Sequence, residues 1–182
     1  VLFSDFVGFT RLARTQSSER VVSTLNKIFS EFDALALRLG VEKIKTIGDG
    51  YLAVSGVPIP MPNHAETCAE MAIGMLDILH RLNPGFDEPL QMRLGLASGP
   101  VVAGIIGSHK FAFDVWGDTV NMAARHESYS EPDRIHVAVE TAALLEPAFK
   151  LESRGILNIR GRGQVETRSE EHTSELQSQS TI

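Results

Sequence analysis

Residues 41–55 read VEKIKTIGDGYLAVS. Two apolar-rich runs, Val41–Ile47 and Tyr51–Ser55, flank Gly48-Asp49-Gly50, and glycines at so short a junction permit the positive φ of a tight hairpin. On the N-terminal side, apolar residues from Val21 through Leu25, Ile28, Phe32 and Leu35 to Leu39 recur every three or four positions, which predicts an amphipathic helix stopped by Gly40. On the other side a proline-rich connector, Pro58–Pro62, leads to a second helix with Asn63 as cap and Glu66 three residues on. Cys68 falls on that helix's apolar stripe, hence in the core. Met92, Leu94 and Leu96 alternate with Arg93 and Gly95 as a strand, and Val101–Ile106 is expected as its hairpin partner. Phe111, Phe113 and Val115 keep the period of two. A helix is expected at about Asp118–Ser128, a strand at Ile135–Val139, a helical segment at Glu140–Leu145 and a last strand at Ile156–Arg160. With Val1-Leu2-Phe3 as the first strand, the order βαββα followed by mostly antiparallel strands predicts an α+β sandwich, helices on one face of a mixed sheet.

The chain has 182 residues, 43% of them hydrophobic and 22% charged. That suits one compact domain hiding roughly 70% of the surface its unfolded chain exposes. Cys68 is the sole cysteine and no Cys/His grouping has zinc spacing, so a reducing compartment, the cytoplasm, is the expected setting. A net charge of −6 argues against a nucleic-acid surface. No apolar run approaches the ~18 residues of a membrane span, and no secretory leader is recognisable. Neither nucleic acid nor membrane contact is therefore expected of this chain, although a longer parent protein could be membrane-anchored. An acidic protein that binds a polyphosphate must gather positive charge locally, from metal ions, helix N-termini or a few placed cations.

Both ends depart from the pattern. The chain opens inside an apolar run, as if cut within a strand, and from Arg168 it reads RSEEHTSELQSQSTI. Composition predicts disorder there, and residues 168–178 resemble the translated frame of a short-read sequencing adapter. The expected domain is 1–167, truncated at both ends, with 168–182 an artefactual tail.

The candidate chemistry sits at element ends. Asp5 opens SDFVGFT, where Gly8 and Thr10 lead into a helix; such a turn aims free N–H groups at one point and suits phosphate oxygens. Asp49 lies in the hairpin turn after the strand that carries Lys45. If the first strand pairs beside that hairpin, Asp5 and Asp49 meet, and two hard oxygen donors suit Mg²⁺ or Mn²⁺. Singly, the first would read as a helix cap and the second as a turn residue. In FDVWGDTVNMAAR, Asn121 and Arg125 stand four apart on a helix and share a face. Asp114 ends the strand before it.

Taken together, VLFSDFVGFT, EKIKTIGDGYLAVSGVP, RLGLASGPVVAGIIG and FAFDVWGDTVNMAAR resemble the catalytic domain of class III nucleotide cyclases, the adenylate and guanylate cyclase family, from residue 1 to about 167. The resemblance implies a ferredoxin-like βαββαβ core with added antiparallel strands. It implies two Mg²⁺ or Mn²⁺ ions on Asp5 and Asp49, and a triphosphate-binding turn at Phe6, Gly8, Phe9 and Thr10. Lys45 and Asp114 match the base-reading pair, Asn121 the residue that orients the ribose and Arg125 the one that stabilises the transition state. Arg160 stands where the family usually has a triphosphate-binding lysine, which keeps the charge but changes donor geometry. Ala97 replaces a histidine found in many relatives.

Adenine presents an acceptor at N1 and a donor amine at N6, matching Lys45 and Asp114; guanine reverses that polarity. Guanylate cyclases of the family typically carry Glu and a small residue such as Cys at these positions. The reading is thus an adenylate cyclase making 3′,5′-cyclic AMP and pyrophosphate for intracellular signalling, working as a head-to-tail homodimer with two shared sites. Guanylate cyclase activity and a degenerate regulatory or dimerisation module remain the alternatives. A diguanylate cyclase is disfavoured by the missing Gly-Gly-Asp/Glu-Glu-Phe signature.

Overall fold

The structure, a computed structural model, describes residues 1–82, 89–107, 109–146, 148–159 and 163–170. Strand β1 (Leu2–Val7) turns through Gly8 into α1 (Phe9–Thr15) and then α2 (Ser18–Leu39). Ser17 caps α2 by accepting the Arg20 N–H at 3.3 Å, and Gly40, left-handed at φ 69°, ends it with its N–H on the Ala36 and Leu37 carbonyls. The hairpin β2 (Glu42–Ile47) and β3 (Gly50–Val54) follows, with Gly48 at φ 62°, then α3 (His64–Leu82) and β4 (Gln91–Leu96). Next come β5 (Val102–Ile106), β6 (Ala112–Trp116), α4 (Asp118–Ser128), β7 (Arg134–Ala138) and α5 (Val139–Leu145). The strands β8 (Leu151–Ile159) and β9 (Gly163–Glu170) close the described chain.

Seven strands form one sheet in the order β2-β3-β1-β4-β7-β9-β8. Only β4 and β7 run parallel within it. Alternation sorts the strand residues onto two faces. Leu2 and Phe6 of β1, Tyr51 and Ala53 of β3 and Met92, Leu94 and Leu96 of β4 meet α2, α3 and α5 in the larger core. There Phe32 packs edge-on against Tyr51, ring centroids 5.7 Å apart, and Cys68 is buried as expected. Phe3, Leu52, Val54 and Ala97 face the other way, toward Met122 and Ala123 of α4 and Val115 of β6.

Helices therefore lie on both faces, not one. What admits α4 is Gly95, on the sheet face opposite Leu94 and Leu96: a Cβ there would stand 2.2 Å from the Ala123 carbonyl oxygen and 2.2 Å from the Glu127 nitrogen. Absence of a side chain lets the helix rest directly on β4.

Strand β5 is not the hairpin partner of β4. Both edges of β4 are already taken, by β1 (Leu2↔Leu96 to Val7↔Gln91) and by β7 (Arg93↔Arg134 to Leu96↔Val137). The chain leaving Gly99-Pro100 instead pairs with β6 in a separate two-stranded ribbon, from Val102↔Trp116 to Ile106↔Ala112.

Near the C-terminus a further strand, β9, follows the one expected last. It bonds to β7 and β8 at once, Val137↔Arg168 and Ser153↔Arg168 among its partners, and runs to Glu170, so the boundary placed at Thr167 falls within it. Backbone pairing makes no demand on apolar side chains, which is why a polar stretch fills the slot. Residues 171–182 lie outside those described. Among the described residues no helix is long and apolar enough to cross a membrane.

Candidate active site

The β2–β3 turn decides where two carboxylates meet. Strands β1 and β3 are antiparallel neighbours with Ser4 opposite Tyr51, so the turn lies against the C-terminal half of β1. The approach is close enough that a Cβ on Gly50 would stand 2.8 Å from the Ser4 carbonyl oxygen and 3.6 Å from Asp5 Oδ1. Asp49 is thereby brought within hydrogen-bonding reach of Asp5. Burial first, and then the charge of Asp5, push the Asp49 carboxyl above its ordinary range; a backbone hydrogen bond and the charge of Arg93 oppose the rise. Two oxygen donors held against their own repulsion make a seat for a hard divalent cation. The donor set fits Mg²⁺ or Mn²⁺. No cluster of three or more His, Cys, Asp or Glu occurs among the described residues, and two carboxylates suit an ion that fills its shell with substrate and water oxygens.

Two residues that the sequence reading left unassigned join this pair. Arg93 sits directly across from Asp5 in the β1–β4 register, its Nη2 3.5 Å from Asp5 Oδ2. Its Nε lies 3.2 Å from Oε1 of Glu127, a side chain 7% exposed on the underside of α4. Burial raises the Glu127 carboxyl, and Arg93 partly offsets that. The signals available in the sequence were an arginine that shares its strand face with Gly95 in MRLGL, and a carboxylate four residues after Ala123 on the stripe of α4 that meets the sheet.

Lys45 and Asp114 come together as expected, Nζ to Oδ2 at 2.5 Å. A β-bulge makes this possible. Lys43 pairs with Ala53 but Lys45 with Leu52, so one extra residue, Ile44, switches the side chains to the α4 face. Lys43 stays on the α2 face, 2.6 Å from Asp33, which also accepts the Tyr51 hydroxyl at 2.8 Å. Asp114 is held below the usual carboxylate range, chiefly by the Lys45 hydrogen bond and also by the Val115 N–H at 2.9 Å.

Asn121 and Arg125 do share one face of α4, and that face is turned away from the sheet that carries Asp5. At about 100° per residue they stand nearly opposite Ala123 and Glu127, which rest on the sheet; Asn121 is exposed, and Arg125 Nη1 lies 3.8 Å from Met122 Sδ. One chain thus holds two groups turned apart: Asp5 and Asp49 on one side of α4, Asn121 and Arg125 on the other.

At the end of β1, Phe6 is buried against Phe9 and Phe29, with ring centroids 6.3 and 6.2 Å away. Gly8, left-handed at φ 71°, precedes α1, and its carbonyl accepts from Arg11 and Leu12 at 2.9 and 3.1 Å. The N–H groups of Phe9 and Thr10, ahead of the first intrahelical donor Arg11, have no acceptor within the helix. Arg160 lies outside the described residues.

Comparison with known proteins agrees with this fold. The family model described as the adenylate and guanylate cyclase catalytic domain matches residues 1–169. An adenylate cyclase of Mycobacterium tuberculosis is 43% identical over 167 residues, 92% of this chain. The chain spans 38% of that relative's length. Among solved structures, the guanylate cyclase domain of RhGC from Catenaria anguillulae in complex with GTP superposes with a TM-score of 0.89 at 35% identity, covering 93% of both chains. The adenylyl cyclase CyaB from P. aeruginosa gives 0.90 at 26% identity, covering 94% of this chain and 92% of that one. With a family model over residues 1–169, a relative at 43% identity and solved cyclase domains superposing over more than nine-tenths of it, this chain belongs to the adenylate and guanylate cyclase catalytic domain family.

Proposed function

We propose that the chain is the catalytic domain of an adenylate cyclase, forming 3′,5′-cyclic AMP and pyrophosphate from ATP. The observation that carries the choice of substrate is the Lys45–Asp114 pair, whose charged atoms lie 2.5 Å apart. A lysine ammonium only donates and an ionised aspartate only accepts, which matches adenine N1 and N6, whereas guanine would set N1–H against the lysine and O6 against the aspartate, like against like. With Asp114 firmly ionised beside Lys45, that polarity is fixed.

Cyclisation joins the ribose 3′-oxygen to the α-phosphorus and breaks the bond from that phosphorus to the pyrophosphate oxygen. Asp5 and Asp49 would hold two Mg²⁺ or Mn²⁺ ions, which activate the 3′-hydroxyl and neutralise the departing pyrophosphate. The backbone from Phe6 to Thr10 offers N–H donors to the triphosphate, and Arg160 is a further cation for it. Asn121 orients the ribose. Arg125 donates to the α-phosphoryl oxygens as their charge grows, a contribution of about 10²–10³ in rate if it acts like other preorganised donors.

Because Asn121 and Arg125 turn away from Asp5 and Asp49 of the same chain, a complete site needs two copies, each giving what the other lacks. A head-to-tail homodimer with two equivalent sites meets that need. The β5–β6 ribbon supplies apolar surface for such an interface, with Val102, Ile105, Ile106 and Phe111 each more than 60% exposed.

Guanylate cyclase activity is the second reading, favoured by the similarity to a domain solved with GTP. Initial rates of cyclic nucleotide formation from ATP and from GTP, in Mn²⁺, separate the two. Preference for ATP supports the proposal; preference for GTP overturns it. A degenerate regulatory module would lack a metal aspartate or the arginine of the transition state, and Asp5, Asp49 and Arg125 are all present.

A further inference from the structure

The extra residue of β2 has two places to go. As the hairpin stands, Lys43 lies opposite Ala53 and Lys45 opposite Leu52 with Ile44 between them, and Thr46 and Ile47 face Tyr51 and Gly50 around the turn Gly48-Asp49. Were the extra residue moved into the turn, β2 would be regular. Lys43 would keep Ala53, Ile44 would face Leu52, and Lys45 would face Tyr51. Residues 47–49 would then form a three-residue turn, a common hairpin length. Apolar packing does not choose between these arrangements, since Ile44 turns to the smaller core in both and Ile47 is already half exposed. Nor does the sheet, in which β2 is an edge strand bonded to β3. What differs is the face that Lys45 takes. In the regular strand it would stand with Tyr51, beside Asp33 of α2, instead of meeting Asp114. Asp33 is already occupied: Lys43 Nζ donates to Oδ2 at 2.6 Å and the Tyr51 hydroxyl to Oδ1 at 2.8 Å. The Lys43 ammonium also lies 5.2 Å from the centre of the Tyr51 ring. A second ammonium at that place would meet the first, like charge against like.

We propose that Lys43 is a positioning residue for substrate choice: by occupying Asp33 on the α2 face it keeps the extra residue of β2 within the strand, and so leaves Lys45 to Asp114 on the α4 face. The inference rests on the reading of Lys45 and Asp114 as the pair that meets the base. Lys43 lies on the other face of the sheet and acts only through Lys45. One carboxylate within reach of two lysines thus decides, by which of them it holds, what the site presents to a nucleotide.

The variant that tests this is Lys43→Met, which keeps an unbranched apolar stem and removes the charge, leaving Asp33 open to Lys45. Cross-strand nuclear Overhauser effects should shift in part from Lys45 with Leu52 to Lys45 with Tyr51. The ratio of kcat/KM for ATP to that for GTP should fall about fivefold, the worth of one half-exposed ion pair. Adding Asp33→Asn removes the carboxylate that draws Lys45 across. The double variant, though it has lost one more native group, should regain both the Lys45–Leu52 contacts and the wild-type ratio. Lys43→Arg, which keeps the charge, should change neither. Where Lys43→Met fails to fold, Lys43→Gln is read in the same way. A purely structural pair predicts lower melting temperatures in the single and double variants alike, with register and ratio unmoved. That result overturns the proposal, as does a double variant that keeps the shifted register of the single one. If the register moves as expected while the ratio stays constant, Lys43 does position Lys45, and it is the assignment of Lys45 to the base that fails.

Discussion

Lys43 and Lys45, two residues apart on β2, act on opposite faces of the sheet. Lys43 Nζ is 2.6 Å from Asp33 on α2 and Lys45 Nζ 2.5 Å from Asp114 on β6, because the bulge at Ile44 intervenes. In a regular strand the two would share a face. The bulge is what turns Lys45 to the α4 face, where Asp114 meets it.

The first prediction concerns that pair. Replacing Lys45 by Glu and Asp114 by Cys exchanges the donor and acceptor polarity presented to a base. Initial-rate measurements should show kcat/KM for ATP falling by about 10²-fold or more, with GTP gaining, since buried or partly buried polar groups left opposed to like groups discriminate strongly. Unchanged preference for ATP would remove Lys45 and Asp114 from specificity.

Asp49→Asn should abolish metal-dependent turnover, by about 10²-fold at least, yet melt at a higher temperature than the wild type in EDTA. The sign follows from linkage. Asp49 has its folded pKa raised above 3.8, mainly by burial and by Asp5, so the folded chain holds that proton more tightly than the unfolded one, and ionisation costs stability as pH rises through the folded value. Asparagine removes the cost at neutral pH. Differential scanning calorimetry with and without Mn²⁺ checks it: the cation should raise the melting temperature of the wild type and leave that of the variant nearly unmoved.

Gly95→Ala should loosen α4. A new Cβ would collide with backbone on both sides, the Ala123 oxygen and the Glu127 nitrogen, each 2.2 Å away. Backbone cannot swing aside as a side chain can, so unfolding in urea should report a loss of about 1–3 kcal/mol and activity should fall with it.

His126 gives a pH dependence of opposite sign to Asp49. It is fully buried, its ring edge-on to His136 at a centroid distance of 4.9 Å, and burial, followed by the charge of His136, holds its pKa down at about 4. The unfolded chain takes up this proton near 6.5. Stability from His126 is therefore complete above pH 6.5 and declines below it, by about 1.4 kcal/mol per pH unit, until about pH 4, where the folded form is protonated too. Urea midpoints at pH 7 and pH 5 should converge when His126 is replaced by Leu, relative to the wild-type difference.

Much of this was legible in the sequence for local reasons. The helix over Val21–Leu39 follows from its apolar spacing and Gly40, and α4 begins and ends at Asp118 and Ser128 as read, because caps and periodicity are local signals. Pairing is not local: Val102–Ile106 looked like the partner of Met92–Leu96 because nothing in the sequence shows that β1 and β7 already occupy both edges of β4. The placement of α4 on the second face hinges on Gly95, whose missing side chain matters only once the helix lies on it. The meeting of Asp5 with Asp49 and of Lys45 with Asp114 was expected from the motifs and their resemblance, whereas the contacts of Arg93 with Asp5 and Glu127 needed the register, Asp5 opposite Arg93. Strand β9 was hidden by its polar side chains, since its place in the sheet comes from backbone bonds to β7 and β8.

The most direct test of the account mixes two inactive proteins. Asp49→Ala lacks a metal ligand and Arg125→Ala lacks the transition-state cation, so each alone should make no cyclic AMP from ATP in Mn²⁺. Mixed in equal amounts and allowed to exchange, half the dimers pair unlike chains and hold one intact site of two, so about a quarter of the wild-type rate should return. Failure of any activity to return, with exchange verified by light scattering of differently tagged chains, would contradict a site built from two copies.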